Sequence, residues 1–104
     1  MNNERENLRL ALADDQALVR EGLKAILSSI VDMDVLIEAD TGQNLIDQLA
    51  DESIDVIISD IRMPTLDGIE MTRALRNDGN LTPVLLLTTF DDDDLLPRAA
   101  DAGA

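Results

Sequence analysis

A chain of 104 residues is the size of one small domain, and a hydrophobic fraction of 45% is enough to bury a core, which excludes compositional disorder. Acidic residues number 22 against 8 basic ones, for a net charge of −14; this argues against direct nucleic-acid binding by the segment, since DNA affinity comes largely from Lys and Arg neutralising phosphates. The absence of cysteine excludes disulfides and thiolate metal sites, no apolar run approaches the ~18 residues of a membrane span, and without an apolar leader the default expectation is a cytoplasmic protein with no membrane contact.

Residues 1–7 are polar and read as a disordered arm, leaving 8–104 as the domain. Leu8 to Ala13 is a short apolar run that breaks at Asp14-Asp15, a first strand. From Gln16 to Ile30 the residues Val19, Leu23, Ile26, Leu27 and Ile30 recur at helical spacing, with Arg20, Glu21, Lys24 and Ser28 on the other side. Val35 to Ala39 reads as a second strand, and Gln43 to Ala50, with Leu45, Ile46 and Leu49, as a second helix. Val56 to Ser59 is a third strand with Asp60 at its tip. Asp67-Gly68 opens a third helix that runs to about Asn77, with Ile69, Thr72 and Leu75 inward and Arg73 and Arg76 outward. After the breaker cluster Asp78-Gly79-Asn80, Pro83 to Thr88 forms a fourth strand. A last helix covers Leu95 to Ala102; Pro97 fits it only in a first turn or at a kink, and Gly103 is suited to cap it.

Strands alternating with helices predict an α/β fold, a doubly wound parallel sheet with helices on both faces. In such a sheet the strand C-termini share one edge, where ligands collect. Asp14 and Asp15 reach it after the first strand, Asp60 after the third, and Thr88 and Thr89 after the fourth. Clustered carboxylates repel, so at least one pKa should rise. A bound Mg²⁺ removes that penalty and takes oxygen ligands of this kind. An Asp can also accept a phosphoryl group as an aspartyl-phosphate. Taken alone, each residue has a plainer use: Asp14-Asp15 as a helix cap, Asp60 as a turn residue before Met63-Pro64, Thr88-Thr89 as ordinary strand residues. Their convergence is what points to chemistry. The Asp91 to Asp94 run reads instead as a solvated loop and helix cap, because it lacks the calcium-loop pattern. The one lysine, Lys24, lies too far along the first helix to clamp a phosphoryl group.

The pieces Ala13-Asp14-Asp15-Gln16, Asp60-Ile61-Arg62-Met63-Pro64 with Asp67-Gly68, Leu87-Thr88-Thr89 and Ala102-Gly103-Ala104 resemble, in that order, the receiver domain of bacterial two-component response regulators. Val19 to Leu23 and Met71 to Arg76 are most similar to the NarL/LuxR-type subgroup, which carries a C-terminal helix-turn-helix. The resemblance implies a flavodoxin-like receiver fold with strand order 2-1-3-4, and a signalling domain rather than an enzyme. It implies that Asp60 takes a phosphoryl group from a sensor histidine kinase, that Asp15 holds Mg²⁺ directly and Asp14 through water, and that Asp60 and the carbonyl of Arg62 complete the metal site. Thr88 would bind the phosphoryl group and couple the site to the neighbouring surface. The Arg62 and Phe90 side chains would tune the phosphate's lifetime, and DNA would be reached only through an output domain absent from these residues.

The family continues into a fifth strand, a Lys at its end and a fifth helix, none of which follow Ala104 here. The expectation is therefore a receiver incomplete at its C-terminus, with weak phosphoryl transfer. Its fourth strand would be an open edge that invites a homodimer or swapped oligomer. The alternative is a phosphorylation-incompetent interaction module. An aspartate-nucleophile phosphatase is disfavoured, because its second Asp would stand where Arg62 does.

Overall fold

The structure, a computed structural model, describes residues 7–63, 66–87 and 95–104. Strand and helix alternate as β1 (Leu8–Ala13), α1 (Ala17–Ser28), β2 (Met33–Ala39), α2 (Gly42–Leu49), β3 (Val56–Asp60), α3 (Gly68–Asn77), β4 (Val84–Leu87) and α4 (Leu95–Ala102). The strands form one parallel sheet in the order β2-β1-β3-β4, the order expected from the sequence. β2 begins at Met33, earlier than Val35, because Leu8 and Arg9 pair with Met33 and Asp34. A register shift between Leu10 and Ala11 then leaves Leu36 without a partner in the ladder. Of the expected arm, Asn7 is described and donates to Asp34 Oδ2 at 2.9 Å.

Alternation along the strands sorts side chains onto two faces. Ala11, Ala13, Ile37, Ala39 and Ile57 turn to one face and pack with Leu45 of α2 and with Met71 and Leu75 of α3. Small alanines in the strands leave room there for the large helix side chains. Ile61, Ile69 and Ala102 extend this side toward α4. Leu10, Leu12 and Ile58 turn the other way and meet Leu23 and Leu27 of α1.

The helices begin where local chemistry allows. The Thr41 side chain accepts the Asn44 N–H at 3.0 Å and caps α2. Asp67 and Glu70 form a reciprocal capping box at α3: Asp67 Oδ1 accepts the Glu70 N–H at 2.8 Å, and Glu70 Oε1 accepts the Asp67 N–H at 3.1 Å. Pro97 falls in the first turn of α4, where its missing N–H costs nothing. At the other end Gly103 adopts φ +101°, its N–H bonds to the Ala100 carbonyl and the Ala104 N–H to the Ala99 carbonyl, both at 3.1 Å. That is a left-handed glycine cap of the Schellman type.

Two expectations need correction. The predicted stripe on the first helix is only partly inward: Leu23 and Leu27 pack on the sheet, while Val19, Ile26 and Ile30 are exposed, and no residue of α1 is fully buried. α1 stands alone on its face among the described residues, so nothing meets the flanks of its apolar stripe. Arg76, expected outward, instead turns along α3. Its guanidinium donates to the Gly103 carbonyl at 3.0 and 2.9 Å and to the Asn80 carbonyl at 3.0 Å, tying α3 to the end of α4.

Candidate functional site

The C-terminal ends of β1 and β3 lie side by side, since Ala13 pairs with Ser59. Asp14 and Asp15 leave β1 just past that pair, and Asp60 is the last residue of β3. As a result Asp14, Asp15 and Asp60 each bring a carboxylate oxygen within 4.8 Å of the others. Asp14 is buried, Asp60 half-buried and Asp15 exposed, so the cluster opens to solvent on the Asp15 side.

The surrounding backbone fixes these residues. The Asp14 N–H donates to the Ala39 carbonyl at 3.0 Å, and Asp14 Oδ1 accepts the Gln16 N–H at 2.9 Å. Neither Asp14 nor Asp15 caps α1; the N-cap is Gln16, whose side chain makes no capping bond. Below Asp60, the Ser59 hydroxyl is fully buried and donates to the Asp60 carbonyl at 2.8 Å. Asp60 pairs in register with Leu87, and the Ile61 N–H donates to the Leu87 carbonyl at 3.1 Å. Gly68 closes the loop by donating its N–H to the Ile61 carbonyl at 2.8 Å. A Cβ at Gly68 would collide with the Asp60 carbonyl oxygen, so the first turn of α3 sits this close to the site only because residue 68 has no side chain.

Electrostatics mark Asp60. Burial, then the Asp14 charge, push its carboxyl pKa above the usual range; the Asp15 charge adds to this, while the backbone N–H groups of Arg62 and Ile61 act against it. Hard carboxylate oxygens this close fit a small divalent cation better than they fit each other, since a cation removes the repulsion that raises Asp60. Three carboxylates with no sulfur or imidazole among them favour Mg²⁺ over softer metals.

Of the residues singled out from sequence, Asp14, Asp15 and Asp60 are brought together. Arg62 is exposed on the loop just past Asp60. Thr88, Thr89, Phe90, Pro64 and the Asp91 to Asp94 run lie outside the described residues. Lys24 is engaged elsewhere: its Nζ lies 2.6 Å from Glu38 Oε2, and the Glu38 hydrogen bond, then its charge, raise the Lys24 pKa. Sequence reasoning passed over Arg20 and Glu38. Arg20 Nη1 donates to the Asp14 carbonyl at 2.7 Å, and its Nε lies 3.8 Å from Glu38 Oε1.

The model of the response regulator receiver domain family matches residues 10–104. Among curated proteins, the transcriptional regulatory protein YxjL of Bacillus subtilis, itself uncharacterised, is 37% identical over 100 residues, covering 96% of this chain and 46% of that protein. LiaR, a transcriptional regulatory protein of the same organism, is 36% identical over 97 residues, covering 93% and 46%. The chain thus spans about half the length of the curated relatives it matches. Among solved structures, the receiver domain of the putative response regulator NarL from Mycobacterium tuberculosis superposes with a TM-score of 0.91 at 33% identity, covering 96% of this chain and 81% of that one. The chemotaxis response regulator CheY4 of Vibrio cholerae gives 0.83 at 27% identity, covering 94% and 82%.

Proposed function

This chain belongs to the response regulator receiver domain family, and from that premise we propose that Asp60 is a phosphoacceptor served by Asp14, Asp15, Arg62 and Thr88. The observation that carries this is the convergence of three carboxylates, with that of Asp60 raised in pKa by burial and by its neighbour Asp14. Asp15, Asp14, Asp60 and the Arg62 carbonyl would hold Mg²⁺. The ion, when bound, supplies positive charge that keeps Asp60 ionised and offsets charge on the phosphoryl oxygens.

A carboxylate oxygen of Asp60 attacks phosphorus, the bond from phosphorus to the kinase histidine breaks, and the imidazole leaves with a proton from solvent. The half-buried setting of Asp60 limits water around the resulting acyl phosphate, while exposed Asp15 leaves the approach open. The Thr88 hydroxyl would take a phosphoryl oxygen and pass the event to the surface that follows β4. The donor is a sensor histidine kinase in the cytoplasm. The output is transcriptional, as the relatives' descriptions suggest, through a DNA-binding domain outside these residues. A second copy would pair along the edge of β4, where Leu85 is exposed. Convergence of the acids gives the interaction-only alternative no support.

Intact mass after incubation with acetyl phosphate and Mg²⁺ tests the reading. The expected result is one added phosphoryl group on the wild type and none on Asp60→Asn. Equal labelling of the variant would remove Asp60 from the role.

A further inference from the structure

We infer that Arg20 is a positioning residue for the acidic site: it locks the β1–α1 loop by its bond to the Asp14 carbonyl and is itself aimed by Glu38. The inference rests on the reading of Asp14, Asp15 and Asp60 as a divalent-cation site.

The loop from Asp14 to Gln16 has a difficult task. It must hold two adjacent carboxylates toward a third, and their mutual repulsion drives it to open. Its ties are few. The Asp14 N–H is held by the Ala39 carbonyl, Asp14 Oδ1 by the Gln16 N–H, and the Asp14 carbonyl by Arg20 Nη1 at 2.7 Å. The first two restrain Asp14 from β2 and from within the loop. The third ties the Asp14 backbone to the body of α1 through a side chain that is 20% exposed, beside the helical bond from the Arg20 N–H to the Gln16 carbonyl at 2.9 Å.

Arg20 does not stand freely. Glu38, near the end of β2, lies 3.8 Å from its Nε and 2.6 Å from Lys24 Nζ. Glu38 therefore sits between two cations of α1, one turn apart, and turns the guanidinium back over the loop. An Arg suits this place because its fork can address a carboxylate with one nitrogen and a carbonyl with another. Groups that orient a metal's ligands in this way typically change its affinity by about 10–100-fold when removed.

Charge and position make opposite predictions here. A guanidinium beside the acidic cluster repels a dication, so if Arg20 acted only as a nearby charge, removing it would tighten Mg²⁺ binding. If it positions the loop, removing it weakens binding in spite of the lost repulsion. Lys24 is the control, since Lys24→Gln removes a like charge without touching Asp14.

Isothermal titration with Mg²⁺ on the wild type, Arg20→Gln, Arg20→Lys and Lys24→Gln decides between them, with amide exchange of Asp14 and Gln16 measured in metal-free protein. We expect Arg20→Gln to weaken Mg²⁺ about tenfold or more, and to expose the Gln16 amide to faster exchange. Arg20→Lys, which can still donate to the carbonyl, should recover part of the affinity, and Lys24→Gln should bind at least as tightly as wild type. Unchanged or tighter binding by Arg20→Gln, with Gln16 exchange unaltered, would overturn the inference while leaving the site intact. A wild type that binds no Mg²⁺ would overturn the site reading and this inference with it. Should Arg20→Gln not fold, Glu38→Gln gives the same test from the other end, with a weaker loss expected and no change contradicting it.

Discussion

The interior beneath α2 and α3 and the acidic edge at the ends of β1 and β3 are built on opposite terms. In the interior, Leu45, Ile57, Ile69 and Met71 are fully enclosed, and the alternation of each strand agrees with the spacing of each helix. A short distance along the same strands, three carboxylates are pressed within 4.8 Å of one another. One region stabilises the fold, and the other crowds like charges at a local cost in stability, the kind of departure expected at functional sites. Substitutions in the two regions should therefore have opposite signs.

The largest effect is expected in the interior. Leu45→Ala removes a fully buried side chain and should cost about 2–5 kcal/mol by chemical denaturation. A loss below about 1 kcal/mol would mean that α2 is not seated as described. At the acidic edge the sign reverses. Because the folded-state pKa of Asp60 is raised, its protonated form favours the fold. That contribution is fully present below the unfolded carboxylate pKa and is lost as pH rises through the raised folded value. Asp60→Asn, which does not titrate, should thus melt a few degrees higher than wild type at neutral pH without Mg²⁺. The gain should fade as pH drops through that window, and a variant less stable than wild type at neutral pH would contradict the electrostatic account. The smallest effect belongs to the α1 face. Ile26 is 61% exposed, and Ile26→Ala should change stability by less than about 0.5 kcal/mol; a core-sized loss would show that something covers that helix.

The α1 face also shows where sequence reading stops. Periodicity told which side of the first helix is apolar, and Leu23 and Leu27 follow it. It does not tell whether anything lies opposite the flanks, and for Val19, Ile26 and Ile30 nothing described does. Strand identity was legible because the runs are short and apolar and three of them break at Asp14, Asp40 and Asp60, while Pro83 marks the start of the fourth; their order came from the resemblance to the receiver family. The capping box at α3 was there to be read in the three-residue spacing of Asp67 and Glu70. The acidic cluster was legible because topology alone carries the strand ends to one edge. Arg20 and Arg76 were not, for a common reason. On a helical wheel both fall on the polar side, yet a long side chain can turn along its own helix and reach a backbone carbonyl, Asp14 in one case and Gly103 in the other. Composition and spacing carry no record of such carbonyl acceptors.

The central claim is that Asp14, Asp15 and Asp60 form one electrostatic unit that a divalent cation relieves. The most direct test is a pH titration of the Asp60 carboxyl carbon by NMR, without and with Mg²⁺. The account predicts a midpoint above the usual carboxylate range in metal-free protein, and a downward shift when Mg²⁺ is present. An Asp60 that titrates in the ordinary range and does not respond to Mg²⁺ would contradict it.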